Sequence, residues 1–297
     1  MDIGILGWDE IEEETVDLVQ LAVDMELSPF LFTLQDIRCD MTASVPKLLA
    51  KGRLLDELTV IISRAQIRPD FWQEDLERLW SLDILHLPVV DNPRRFFETE
   101  SKLITMQKLR MGGLNVPTTA QCGTLKQVVE MTNQFGGQVV LKPSYGYGGT
   151  DVERVELPFD NDSRGRVEQL LYQYGTLLVQ PYIPHPQGDV RVTIIGQKVA
   201  FCFRRVPNTK TWKANVAQGA DVILDYEPSK EILEASLEAS RIMGTGIVGV
   251  DVVETNGSYV ILEVNNVPGW YPLPPAQRVQ TAKEIILYAL STVKALS

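Results

Sequence analysis

The chain has 297 residues, 44% of them hydrophobic, which suits one compact molecule of two or three packed subdomains and excludes disorder as the starting assumption. Lysine and arginine number 28 against 39 aspartates and glutamates, a net charge of −11 that repels polyanions and excludes general nucleic-acid binding, so any phosphate site must be a local basic pocket. With only two histidines, His86 and His185, a histidine-rich zinc site is excluded and a Ser-His-Asp triad is disfavoured.

Apolar runs at 3–6, 30–34 and 58–62, bounded by polar turns, alternate with helical patterns at 10–26 and 71–80. That alternation predicts a small α/β domain with a mostly parallel sheet, ending near Asp91-Asn92-Pro93. A single helix is predicted over 94–112, stopped by Gly112-Gly113. A strand leading to Val116-Pro117 and a helix over about 124–135 follow. A buried strand at 139–141 runs into Lys142-Pro-Ser-Tyr-Gly-Tyr-Gly-Gly-Thr-Asp151, a glycine-rich loop. The chain resumes as a strand at 152–157, a helix at 164–174 and a strand at 177–180, and Pro181, Pro184 and Pro186 mark a stiff connector. Beyond it lie a hairpin turning at Gly196-Gln197, a helix at 229–243, a second hairpin from 248–253 and 259–264, and a closing helix at 276–295.

Cys39, Cys122 and Cys202 form no Cys-x-x-Cys pair, and an odd count closes no disulfide framework, so they read as free thiols in a reducing compartment. The acidic start lacks the basic region of a secretory signal. No apolar run approaches the ~20 residues of a membrane span. The expectation is a cytoplasmic protein with no membrane partner.

The sharpest chemical signal is the last hairpin. Side chains alternate along a strand, so Glu263 and Asn265 share a face. A three-residue loop, Thr255 to Gly257, would pair Asp251 with Ile261 and bring Asp251 to that face, whereas a two-residue Asn256-Gly257 turn would pair it with Leu262 on the opposite one. The three-residue loop is the expectation. Two carboxylates and an amide oxygen make a hard, oxygen-only site that suits magnesium; an isolated Glu-x-Asn would equally be a solvated hairpin face.

Lys142 followed by Gly146, Gly148 and Gly149 offers a point charge and backbone N–H groups to phosphate oxygens. It is not a Walker A loop, because the lysine precedes the glycines, and by itself it could be a flexible turn. The strand ending in Gln180-Pro181-Tyr182-Ile183 could present backbone groups to an adenine edge, with Asp189 near a ribose and Arg191 on the next strand. Arg204-Arg205 and Trp212-Lys213-Ala214-Asn215 could stabilise charge on a transferring phosphoryl group. Each also has an ordinary structural reading.

In this order, across roughly residues 95–270, the segments resemble the ATP-grasp superfamily and, within it, the RimK-type α-L-glutamate ligases. The resemblance implies an α/β (α+β) ATP-grasp fold, with an N-terminal α/β domain at 1–93 and two α+β subdomains, 94–182 and 183–297, clamping ATP. By the same resemblance, Lys102 and Lys142 are nucleotide lysines. Gly146, Gly148 and Gly149 cover the phosphates, and Gln180, Pro181, Tyr182 and Ile183 hold adenine. Asp189, Lys213, Ala214 and Asn215 also bind nucleotide. Arg191, Arg205 and Asn215 serve catalysis near the γ-phosphate and acyl phosphate, and Asp251, Glu263 and Asn265 hold Mg2+ (or Mn2+). The implied reaction joins an amino acid, L-glutamate first among them, to an acceptor carboxylate through an acyl phosphate. Another amino acid or amine, or a nucleotide-binding regulator with little turnover, is the alternative. Such relatives are often homo-oligomers.

The sequence departs from that pattern in places. Pro181 replaces a linker glutamate, Lys213 an arginine and Asp151 a loop glycine. Asn266-Val-Pro-Gly-Trp270 replaces a commoner Ala-Ser-Pro-Gly ending, leaving Trp270 as either a core side chain or part of the acceptor pocket.

Overall fold

The computed structural model describes every residue except 209–211, 214–218, 256 and 295–297. The first part of the chain runs β1 (Asp2–Gly7), α1 (Glu13–Asp24), β2 (Ser28–Thr33), β3 (Ile37–Asp40), β4 (Lys47–Ala50), β5 (Arg53–Leu54), β6 (Val60–Ser63), α2 (Trp72–Ile84) and β7 (Val89–Val90). Strands β2, β1, β6 and β7 lie in that order, and each neighbouring pair is parallel. Ile3, Ile5 and Leu6 of β1 are sealed from water, the requirement of a sheet covered on both faces. The small antiparallel sheet β3–β4–β5 has no counterpart in the sequence pattern. Its strands are two to four residues long and carry Arg38, Asp40 and Lys47, so no apolar alternation stands out.

Next come α3 (Pro93–Glu100), α4 (Lys102–Met111), β8 (Ala120–Cys122), α5 (Leu125–Gln134), β9 (Gln138–Lys142), β10 (Glu153–Glu156), α6 (Asn161–Tyr174) and β11 (Leu177–Pro181). The sheet has the order β10-β9-β11-β8 and is antiparallel throughout. Val128 of α5 and Val167 and Leu170 of α6 pack on Val139, Leu141 and Val179. Two expectations are corrected here. The single helix over 94–112 is two helices, broken at Ser101, whose hydroxyl accepts from Ile104 N–H at 3.3 Å as the cap of α4. Serine satisfies a helix start better than a helix interior. The strand expected to lead to Val116-Pro117 instead follows it, as β8, since Pro117 has no N–H for a ladder.

The remainder runs β12 (Asp189–Ile195), β13 (Lys198–Val206), β14 (Asp221–Ile223), α7 (Lys230–Met243), β15 (Ile247–Thr255), β16 (Ser258–Asn265) and α8 (Pro275–Lys294). The five strands form an antiparallel sheet, β14-β13-β12-β15-β16. Met106 and Leu109 of α4 join Ile232, Ala239 and Met243 of α7 against Val192, Val250 and Ile261, so the break at Ser101 seats α4 on this sheet. Helix α8 returns to pack along α1 in the first core. Among the described residues no helix is long and apolar enough to cross a membrane.

The three-residue loop predicted for the β15–β16 hairpin is also corrected. Thr255 pairs with Ser258 and Val252 with Ile261, so the connection spans two positions, Asn256 (outside the described residues) and Gly257 at φ 78°. An Asn-Gly pair favours that tight turn. A slip by one residue then restores the facing of the carboxylate: Leu262 is the extra residue of a β-bulge, and Asp251 pairs with Glu263.

Candidate active site

A cleft of about 330 Å³ opens between the β10-β9-β11-β8 sheet and the five-stranded sheet. Lys142 reaches it from the end of β9, and Lys102 from the first turn of α4. The loop carrying Gly146, Gly148 and Gly149 forms one wall; all three have positive φ (143°, 62° and 73°), which leaves the backbone able to fold over a ligand. Gln180, Pro181, Tyr182 and Ile183 form the far end where β11 stops. Asp189, Arg191 and Arg205 enter from β12 and β13, and Asp251, Glu263 and Asn265 from β15 and β16. Lys213 also lines the cleft, whereas Ala214 and Asn215 lie outside the described residues. The described lining thus carries five lysines and arginines against three carboxylates, a local basic pocket on an acidic chain.

The charges are tightly matched. Buried Arg205 grips Asp189 through Nε and Nη2 at 2.8 and 2.6 Å, and its Nη2 lies 2.9 Å from Asp251 Oδ2. Arg191 Nε donates to Asp251 Oδ1, and its Nη2 to Oδ2 at 2.9 Å. Burial alone would push the Asp251 carboxyl up, but the two guanidinium groups outweigh it and hold the group at about 2. Asn265 Nδ2 sits 3.3 Å from Asp251 Oδ2. Glu263 lies 2.9 Å from Lys102 Nζ. Burial lowers Lys142 to about 8, against the pull of Glu263 and Asp251. An added anion would restore the lysine's charge.

The loop is held by the same cations. Lys102 Nζ donates to Gly146 O at 2.6 Å and Lys213 Nζ to Gly149 O at 2.9 Å. Asp151 occupies a positive-φ position (55°) that glycine would take more easily, and its carboxylate is fixed by Arg166 at 2.7 Å and by the Tyr174 hydroxyl. At the far end Gln180 Nε2 turns to Thr119 Oγ1 (2.8 Å), and Tyr182 N–H is taken by Gln138 O (3.1 Å). Tyr182 and Trp212 meet edge to face at 5.7 Å under Arg154, whose guanidinium is 4.9 Å from the Tyr182 ring.

Three lining features have no motif in the sequence. Leu262 reaches the cleft beside Glu263 because the bulge turns consecutive side chains the same way. Tyr147, on the glycine-rich loop, and Gln66, after β6, complete the wall. Behind that wall the Glu100 carboxyl is pushed up to about 7, chiefly by burial, with Tyr147 and Lys102 pulling it back. Trp270 is a core side chain: it is fully buried, its indole N–H donates to Asp17 at 3.0 Å, and the Arg64 guanidinium lies 4.6 Å from its ring.

Among the described residues no three His, Cys, Asp or Glu side chains gather as a metal cluster. The candidate set is two carboxylates and an amide. Its oxygen-only chemistry fits a hard divalent cation, which would take over the neutralisation that Lys102, Arg191 and Arg205 now provide.

Residues 99–289 match the model of the RimK-like ATP-grasp domain. The chain is 26% identical to the tetrahydromethanopterin:alpha-L-glutamate ligase of Methanocaldococcus jannaschii, over 99% of this chain and 100% of that one. It is 32% identical to the alpha-aminoadipate–LysW ligase LysX of Sulfurisphaera tokodaii, over 62% of this chain and 65% of that one. The crystal structure of a RimK domain ATP-grasp protein from Sphaerobacter thermophilus superposes with a TM-score of 0.73 at 19% identity, covering 98% of this chain and 100% of that one. The chain therefore belongs to the RimK-like ATP-grasp family and is an ATP-dependent, ADP-forming ligase that joins a carboxylate to an amine.

Proposed function

We propose that this ligase adds L-glutamate, through its amine, to the carboxylate of a small cofactor-like acceptor. The observation that carries the site assignment is the convergence of Lys102, Lys142, Arg191 and Arg205 with Asp251, Glu263 and Asn265 on one cleft beneath a glycine-rich loop. Glutamate and a cofactor-like acceptor are supported by the end-to-end similarity to a ligase named for both. In this reading residues 1–93, 94–182 and 183–297 act as three units.

The acceptor carboxylate oxygen attacks the γ-phosphorus, the bond to the β-phosphate oxygen breaks, and ADP leaves. The amine nitrogen then attacks the acyl carbon, the bond from that carbon to the phosphoryl oxygen breaks, and phosphate leaves as the nitrogen loses a proton. No protein nucleophile is needed, so catalysis is positioning and charge stabilisation. Lys142 and Lys102 hold the phosphates, and Arg205 and Arg191 face the charge that spreads as the phosphoryl group moves. Asp251, Glu263 and Asn265 would hold magnesium, which would supply charge neutralisation to the nucleotide phosphates. Val140 and Leu262 line the cleft and would give adenine an apolar surface. Because Pro181 has no N–H and the Tyr182 N–H is engaged, Ile183 N–H and the linker carbonyls read its edge.

The test is ATP-dependent transfer of labelled glutamate into fractionated cell extract, read by mass shift. The product is expected to gain one or more glutamyl units, and a different gain overturns the amino-acid assignment.

A further inference from the structure

The chain leaves β16 at Asn265 and then forms a further wall of the cleft, lined by Gly269, Tyr271 and Pro272. Its continuity with Glu263 and Asn265 sets this wall beside the phosphate end, where an amine must reach the acyl carbon. Trp270 turns into the core, but Tyr271 turns the other way. Its side chain lines the cleft and the residue is 45% exposed. Among the described residues its hydroxyl makes no hydrogen bond, so the cleft holds a donor with nothing to donate to.

The N-terminal unit imposes that posture. Glu14, buried in the first turn of α1, accepts through one oxygen, Oε1, from Trp270 N–H at 2.9 Å and Tyr271 N–H at 3.0 Å. A Cβ at Gly269 would fall 3.0 Å from that same oxygen, so the segment passes as closely as glycine permits. Leu273 N–H donates to Trp270 O at 3.0 Å, which puts Tyr271 at the corner of a turn. Buried Arg64, just after β6, donates to Pro268 O at 3.1 Å while Glu12 holds the other side of its guanidinium at 2.6 and 3.0 Å. Apart from Gln66, the described cleft lining takes no residue from 1–93, so this segment is the main route by which that unit shapes the site.

We propose that Tyr271 donates its phenolic O–H to a carboxylate of the bound substrate, and that Glu14 and Arg64 are positioning residues that aim it. The proposal rests on the ligase reading given above. The amino acid and the acceptor each carry a carboxylate, and a phenol stays protonated at neutral pH and donates to such a group. Arg191 and Arg205 line the same cleft and favour an anion there. A tyrosine that merely filled the wall would act through its ring, and loss of the hydroxyl alone would change nothing.

The experiment measures steady-state ligation with ATP, labelled glutamate and the acceptor-containing extract fraction. It compares the unsubstituted protein with Tyr271→Phe, Glu14→Ala, Glu14→Gln and the combined Glu14→Ala/Tyr271→Phe. Tyr271→Phe raises the KM for one carboxylate substrate by roughly tenfold, the loss of one hydrogen bond to a charged group, and leaves the KM for ATP unaltered. Whether the glutamate or the acceptor titration moves identifies the carboxylate that Tyr271 holds. Glu14→Ala gives the same selective rise, and Glu14→Gln, whose amide oxygen still accepts both N–H groups, reverses it. The combined variant is no worse than Glu14→Ala, because a misplaced hydroxyl has nothing left to lose. Unchanged KM values in Tyr271→Phe overturn the proposal, as does an equal rise for ATP; additive rises in the combined variant overturn the positioning role. If the unsubstituted protein forms no glutamyl product, the substrate assignment is at fault, and the comparison is made with the amino acid that the mass shift identifies. Amide hydrogen exchange at Trp270 and Tyr271 tests the anchor without any substrate: it quickens in Glu14→Ala and not in Glu14→Gln, and unchanged exchange in Glu14→Ala overturns it.

Discussion

Lys102 Nζ stands 2.9 Å from the Glu263 carboxylate while donating to Gly146 O, so one ammonium ties the candidate cation site to the loop that closes over it. On the proposed reading, a divalent ion held at Glu263 would free that ammonium for phosphate. Glu263→Gln should therefore raise the magnesium concentration for half-maximal ADP release by at least about tenfold, the loss that even outer-shell partners of a metal cause. An unchanged magnesium titration would remove Glu263 from the site.

Arg205 bridges two buried carboxylates, Asp189 and Asp251. Arg205→Met leaves both without it, at a cost of about 3–5 kcal/mol in stability. Turnover should fall on the order of 10²–10³-fold, as when one donor to a developing charge is removed. Arg205→Lys keeps the charge but loses the planar fork, so it should recover part of the denaturation midpoint and little of the turnover. Full turnover in the lysine variant would exclude Arg205 from transition-state stabilisation.

The sequence made most strands of the two sheets around the cleft legible because each is a compact apolar run ending at a polar turn: 139–141 and 177–180 reappear within β9 and β11, and 248–253 and 259–264 within β15 and β16, whereas β8 was expected before Pro117 and β14 was not expected. The grouping of Asp251, Glu263 and Asn265 was legible too, although by the wrong route. The tight turn and the bulge at Leu262 are two one-residue slips that cancel, and alternation cannot count such slips. Ser101 hid the break between α3 and α4 because a serine inside a helical pattern reads as tolerated until its capping bond is seen.

Gly188 sits at φ 83° in the turn before β12, and a Cβ there would fall 1.7 Å from Arg205 O. The backbone that aims Arg205 must move to accept any side chain. Gly188→Ala should lower stability by at least about 2 kcal/mol and reduce turnover as well. Gly165 in α6 is the opposite case, with helical backbone and nothing within 4 Å of the place its Cβ would take. Gly165→Ala should stabilise by about 0.5–1 kcal/mol without affecting ligation, as read from urea midpoints and initial rates. Equal destabilisation by the two changes would refute the contact argument.

Asp91, in the link before α3, turns its carboxylate to the N–H groups of Gly246 (2.9 and 3.0 Å) and Ile247 (2.7 Å) at the start of β15. Burial pushes it up to about 6, with these two bonds pulling back. The unfolded chain releases this proton near pH 4, so between about pH 4 and 6 the folded state holds a proton that the unfolded state has lost. The stability from this group is present at low pH and disappears as pH rises through 6, by up to about 3 kcal/mol. Asp91→Asn keeps an acceptor oxygen and cannot ionise. Its stability relative to the unsubstituted protein should rise from pH 4 to pH 7 and then level off. Asp251, held at about 2, acts with the opposite sign: its contribution is intact above pH 4 and fades only below it, equally in both proteins. Urea unfolding of the pair at pH 4.5, 6 and 7.5 isolates Asp91, and a difference that stays constant across those values would show that this carboxyl does not titrate near 6 in the folded protein.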